Sequence, residues 1–204
     1  MELRSIENFS IGYSSHPENT EVGCAMELVS FMAGEKWSDR PECVSPAIAA
    51  FMRNWNDNLD QKGREKFILP ILEKCIGTRS TLEVEQKRAF AFADWAVRFA
   101  ASFALRAAGL VDEAQKLEGL KEISDRESAA DAAAYAAARA AYAARAAYAA
   151  ARAAYAAAAR AAYAYAAAAA DAADAAAAAD AYDAYDAQLN QSAQDLIVRI
   201  CEMS

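Results

Sequence analysis

The sequence predicts an all-α protein, a compact helical bundle head followed by a long Ala-rich helix. Three observations carry that expectation. From Ser124 to about Gln188 the chain is alanine broken mainly by Tyr, Arg and Asp, with no Gly or Pro, and alanine is the strongest helix former. Gly34, Gly77 and Gly109 each stand just past a stretch with helical apolar spacing, where a left-handed stop belongs. No segment alternates apolar and polar residues with period two, so no strand is expected.

Taken in order, residues 1–19 read as a loose leader. Thr20 is placed to cap a helix over about 21–33 that stops at Gly34. Cys24, Ala25, Met26, Leu28, Val29, Phe31 and Met32 point all round its axis, so this helix belongs at the centre of the core. Glu27 and Ser30 are its polar interior residues. After the loop GEKWSDRPECVS, Ser45 followed by Pro46 is a cap and a first-turn proline. They open a helix to about Leu59 with Ile48, Phe51, Met52, Trp55 and Leu59 on one face.

A third helix over 61–76 is expected to bend at Pro70. Ser80 with Glu83 has capping-box spacing and opens a helix to about Ala108. Along it Phe92, Trp95, Phe99 and Phe103 step by 3, 4 and 4, which predicts a core stripe and not a cofactor box. A short helix over 111–119 leads to Ser124, the expected cap of the long one. The chain therefore divides into a leader (1–19), a helical head (20–123) and the Ala-rich helix with an apolar end (124–204).

Within the alanine run R-x-x-Y occurs four times, at Arg139/Tyr142, Arg145/Tyr148, Arg152/Tyr155 and Arg160/Tyr163. At i and i+3 each guanidinium can lie along its ring, and the rest of the circumference is bare alanine that lets another helix approach closely. The second half of the run carries Asp171, Asp174, Asp180, Asp183 and Asp186 and no base. Reflection about a point near residue 163 sets Arg139 opposite Asp186, Arg145 opposite Asp180 and Arg152 opposite Asp174. An antiparallel homodimer and an intrachain hairpin turning near 161–164 share this arithmetic. The sequence AAYA there holds no turn former, which favours the dimer. A solvated rod is the bland alternative. Beyond the run, Leu189, Leu196, Ile197, Ile200 and Met203 form an apolar stripe that must dock on the head or on a partner.

Charge and cysteine placement narrow the function. A net charge of −8 argues against a nucleic-acid partner. The Arg–Tyr stripe has the elements of a single-strand stacking platform, but the Asp block beside it repels phosphate. Arginines inside the alanine run argue against a membrane span, and the N-terminus lacks a signal-peptide core, so a cytoplasmic location is expected. Cys24, Cys43, Cys75 and Cys201 are scattered, with His16 the single histidine, so no metal site or cofactor is expected and free thiols are. No phosphate-binding loop, dinucleotide glycine motif or hydrolase elbow occurs, and no catalytic residue is assigned. A Cys24 or Cys43 nucleophile with His16 lacks any familiar context.

One ligand pocket is conceivable in the head. A carboxylate on an apolar helix must be paired, neutralised or wetted, which singles out Glu27, with Arg98 or Arg53 as partner. Trp37, Asp39, Asn54 and Arg98 complete that candidate set. Asp94 stands four residues before Arg98 and competes for it.

The segment GCAMELVSFMAGEKWSDRPECVSPAIAAFMRNWND, with CIGT at 75–78 and ADWAVR at 93–98, resembles a set of uncharacterised actinobacterial and phage-associated proteins. These carry a C-x-M-E…AGE-x-W-[ST]-D-x-P-x-C segment. The resemblance covers about residues 20–123 and implies that the head is a unit and the Ala-rich helix a variable appendage. It implies no activity. The expected function is a structural or interaction role, in which the Ala-rich helix drives antiparallel assembly into a homodimer or higher oligomer. The competing class is a small-molecule-binding protein or enzyme with its pocket near Glu27.

Overall fold

A computed structural model describes residues 3–18, 20–125, 127–128 and 186–203. The described chain is mostly helical and falls into two compact units, Met1–Phe92 with Asn190–Ser204, and Ala93–Leu189. The alanine run between 129 and 185, with Arg139, Arg145, Arg152, Asp174 and Asp180, lies outside the described residues.

Residues expected as a loose leader carry a strand, β1 (Ser10–Ile11), that pairs in parallel with β2 (Val22–Gly23). Ser10 N–H donates to the Glu21 carbonyl at 2.8 Å and Gly12 N–H to the Gly23 carbonyl at 2.9 Å. The Ile11 side chain is 1% exposed, so this segment is part of the core. Further back, Arg4 N–H bonds the Met32 carbonyl at 3.0 Å, and the Phe9 ring lies 4.7 Å from Phe31 and 6.1 Å from Trp37.

Helix α1 (Ala25–Met32) starts later than expected because Glu21–Gly23 are committed to the strand pair and its flank. Cys24, not Thr20, holds its N-cap position. Its all-round apolar sequence is matched by burial of Ala25, Met26, Leu28, Val29 and Met32. Its end follows the glycine stop: Gly34 has φ +74°, and N–H groups of Gly34 and Glu35 return to the Phe31 and Ser30 carbonyls at 3.0 and 2.9 Å.

In the loop that follows, the Glu35 carboxylate accepts the N–H groups of Glu42 and Cys43 at 2.6 and 2.7 Å, closing the loop on itself. Helix α2 (Pro46–Asn58) is capped by Ser45, whose Oγ accepts Ile48 N–H and donates to Glu85. Trp55, Met52 and Ile48 are buried along it, and Phe51 stacks on Phe92 at 4.6 Å.

The third helical stretch is not one bent helix. It runs as α3 (Gln61–Gly63), a π-helical stretch (Arg64–Ile68) and a 3-10 helix (Leu69–Cys75) that packs against α1. Pro70 has no N–H to give and crowds the preceding turn, so the ladder widens before it and tightens after it. Asp60 caps the start, its Oδ1 accepting Gly63 N–H at 2.7 Å. Arg64, buried here, donates to the Asn56 and Leu59 carbonyls at the end of α2.

Helix α4 (Leu82–Asp94) departs from the expected Ser80–Glu83 box. Thr81 Oγ1 accepts Val84 N–H at 3.4 Å, while Glu83 pairs outward with Lys87. The C-terminal residues join this unit through α7 (residues 186–201), with Leu196, Ile197 and Ile200 buried. Asn190 Oδ1 accepts the Trp55 indole N–H at 3.0 Å and the Gln194 amide donates to the Phe67 carbonyl at 2.8 Å. The apolar stripe at the chain end is therefore seated on the head.

In the second unit a π-helical stretch (Trp95–Ala101) leads into α5 (Ser102–Ala107), Gly109 at φ +76°, and α6 (Val111–Glu118). Trp95, Phe99 and Phe103 stack in series at 6.2 and 5.8 Å, but they are half-buried. The buried positions are Val97, Ser102 and Leu105, together with Ala114, Leu117 and Ile123 of the same unit. The aromatic stripe is thus a partly exposed ladder and not the core stripe expected. Asp125, not Ser124, caps residues 127–128: its Oδ1 accepts Ser128 N–H at 2.8 Å and its N–H donates to Ser128 Oγ.

Candidate functional site

A dense polar constellation in the first unit forms where β1, β2, the N-terminus of α1 and the C-terminal half of α2 meet. Glu27 sits three residues beyond the N-cap of α1, where a carboxylate reaches back to unpaired amides. It is 3% exposed. One oxygen accepts Cys24 N–H at 2.8 Å and lies 3.3 Å from His16 Nδ1; the other accepts His16 N–H at 2.9 Å. The Trp37 indole donates to the His16 carbonyl at 2.8 Å, so His16 is held from both sides of its peptide.

Two glycines make room for this arrangement. A Cβ on Gly12 would come within 2.7 Å of the His16 ring, and one on Gly23 within 2.8 Å of the Trp37 ring. A side chain on Gly12 would displace His16, which Glu27 holds, and one on Gly23 would displace Trp37, which bonds the His16 carbonyl.

Asn56 locks the second side. Its Oδ1 accepts Ala25 N–H at 3.2 Å and its amide donates to the Gly12 carbonyl at 2.9 Å and to Asp57 at 3.1 Å. Asp57 in turn accepts Ser14 N–H at 2.9 Å. Ser14 has φ +64°, a left-handed conformation that a non-glycine residue adopts at a cost of roughly 1–2 kcal/mol. These contacts line a cleft of about 120 Å³ formed by Ser14, Ser15, Cys24, Asp39, Arg53, Asn56 and Asp57. A water occupies roughly 30 Å³ and organic-ligand pockets run to roughly 300 Å³ or more, so this cleft suits a few waters or a small polar group.

The sequence-predicted set is brought together only in part. Glu27 and Trp37 converge on His16, and Asp39 lies in the adjoining cleft with Arg53, which donates to the Asp39 carbonyl at 2.9 Å. Asn54 is exposed and its carbonyl and Oδ1 accept the Asn58 amide instead. Arg98 belongs to the second unit, where it pairs with Asp94 at 3.3 Å while Asp94 also accepts Ile123 N–H. Neither Arg53 nor Arg98 is the partner of Glu27; two backbone amides and the His16 ring are. Sequence reasoning missed Ser14, Asn56 and Asp57, and the NWND run at 54–57 was the available signal, polar residues closing a helix beside a buried Trp.

The thiols are not alike. Burial first, then the nearby Glu27 carboxylate, pushes Cys24 up to about 12. It stays a protonated thiol at neutral pH, which removes it as a nucleophile. Burial and then Glu35 raise Cys43. Among the described residues no group of three or more His, Cys, Asp or Glu side chains is placed to hold a metal ion. Among them, too, no helix is long and apolar enough to cross a membrane. No family model, curated protein or solved structure matches the chain.

Proposed function

We propose that this is a structural or interaction protein whose alanine-rich segment mediates antiparallel self-association. The single observation behind the reading is the mirrored charge in the sequence: Arg139, Arg145 and Arg152 in one half, Asp186, Asp180 and Asp174 at reflected positions in the other. In a two-fold dimer each pairing occurs twice. Exposed pairs contribute only ~0–1 kcal/mol each, so they set direction and register while the close alanine faces supply contact. Two facts about the head support placing the interaction in the alanine run. The apolar stripe of α7 is already covered by the first unit, and Glu27 spends both oxygens on groups of its own chain.

Light-scattering mass across a concentration series tests the proposal. Wild type should gain mass with concentration. Reversing the three arginines to Asp, or the three aspartates to Arg, should leave each variant monomeric, and a one-to-one mixture of the two should form heterodimers. A wild-type monomer at every concentration refutes self-association.

A second reading, in which the two halves pair within one chain, is favoured by the return of residues 190–203 to the unit that holds residues 3–92. It predicts wild-type monomers and no mass change on mixing the two reversed variants.

A further inference from the structure

Cys75 and Cys201 stand 126 positions apart in the chain and meet in the first unit. Cys75, at the end of the 3-10 helix, is 0% exposed; its thiol donates to the Ile71 carbonyl at 3.8 Å and lies beside that of Cys201. Cys201, in the last turn of α7, is half-buried and reachable from solvent. A buried arginine clips together the two segments that carry them. Arg88 donates through one nitrogen to the Thr78 carbonyl and through another to the Met203 carbonyl at 2.6 Å. Thr78 Oγ1 donates to the Cys75 carbonyl at 2.7 Å, which ties the clip to Cys75 itself.

We propose that Cys75 and Cys201 are a redox-responsive pair, oxidised to an intramolecular disulfide by a low-molecular-weight disulfide, and that this bond staples α7 to the first unit. The geometry supplies an attacking and a resolving thiol. Cys201 is the thiol that solvent and reagent reach, beside the positive charges of Arg88 and Lys74, whereas Cys75 is fully buried and spends its proton on the Ile71 carbonyl. Cys201 loses its proton to solvent and its sulfur attacks one sulfur of the reagent. The reagent S–S bond breaks, one reagent thiolate leaves and takes up a proton, and a mixed disulfide remains on Cys201. Cys75 then gives up its proton, and its sulfur displaces the second reagent thiol from Cys201. Two protein thiols have lost two electrons and two protons, and one reagent disulfide has become two thiols.

The inference goes beyond self-association and does not depend on it. It assigns a covalent control to the far anchor of the alanine run, whichever way that run is used. Cys43 serves as the internal control, because it lies in the same unit but in a different tryptic peptide.

The full-length protein is incubated with oxidised glutathione, alkylated and digested with trypsin without reduction. The expected product joins CIGTR (75–79) to ICEMS (200–204), is lost on reduction, persists in Cys43→Ser and is absent in Cys201→Ser. Hydrogen exchange over 190–203 should slow by about tenfold or more in the oxidised protein and recover on reduction. A glutathione adduct on Cys201 as the final product, a link from Cys75 to the peptide holding Cys43, or the absence of any link overturns the pairing. Unchanged exchange in a verified Cys75–Cys201 disulfide overturns the staple.

Discussion

Replacing Glu27 by Gln should destabilise the first unit, and the structure sets the size of the loss. Three contacts reach the carboxylate: Cys24 N–H at 2.8 Å, His16 N–H at 2.9 Å and His16 Nδ1 at 3.3 Å. An amide keeps one acceptor and turns the other into a donor. With the NH2 on the Cys24 side, two N–H donors face each other in a buried place; with it on the other side, the His16 amide is stranded. A hydrogen bond to a charged group contributes ~1.5–3 kcal/mol and a stranded buried donor costs ~1–3 kcal/mol. Weakening the retained bond and losing the other comes to about 2–4 kcal/mol, the neutral amide remaining a partial substitute. For a chain of 204 residues that corresponds to a fall in Tm of about 2–4 °C per kcal/mol. Urea denaturation followed by tryptophan fluorescence reads it directly, since Trp37 bonds the residue that Glu27 holds. A variant within 0.5 kcal/mol of wild type, on the scale of an ordinary surface substitution, would refute the view that Glu27 is the knot tying residues 10–16 to α1.

Two further predictions follow from named contacts. Asn190→Ala strands the buried Trp55 indole N–H, costs about 1–3 kcal/mol and speeds hydrogen exchange over 190–203; unaltered exchange there would remove Asn190 as the pin of α7. The raised Cys24 thiol makes stability pH-dependent on the alkaline side: the unfolded chain ionises from about 9.0, while the folded thiol holds its proton to about 12. The native state then binds more protons, so stability is unaffected below the lower value and falls as pH rises through this window. Denaturation midpoints at pH 8 and 10.5 should converge in Cys24→Ala relative to wild type, and an unchanged alkaline slope contradicts the buried-thiol reading.

What the sequence disclosed and what it hid divide along physical lines. Ser45 before Pro46 and the glycines at 34, 77 and 109 were legible because caps and left-handed stops are decided within a few residues. The β1–β2 pair was not, since two residues per strand offer no period to read. The partner of Glu27 was hidden for a related reason. It lies in a segment without helical or strand signals, and a backbone amide, the acceptor's main partner, has no letter in the sequence. The aromatic ladder failed differently. Its 3, 4, 4 spacing assumes 3.6 residues per turn, and the π-helical stretch at Trp95–Ala101 widens the turn and rotates Val97, Ser102 and Leu105 inward.

The seating of α7 shows why the buried polar residues belong in the same account as the apolar ones. Ala193, Leu196, Ile197 and Ile200 supply the area, but an apolar stripe on a helix is tolerant of sliding by a turn or rotating by a fraction of one. Directional contacts remove that freedom. Asn190 meets Trp55 at one end, Gln194 meets Phe67 a turn later, and the Met203 carbonyl meets Arg88 at the other end. Two fixed points on the helix and a third just past its end leave a single register in which all are satisfied, and that register brings Cys201 beside Cys75. A purely hydrophobic seat would hold the helix with comparable area and would not align the thiols. The polar pins therefore give the chain end a defined address, which is the condition for any covalent chemistry between those two sulfurs.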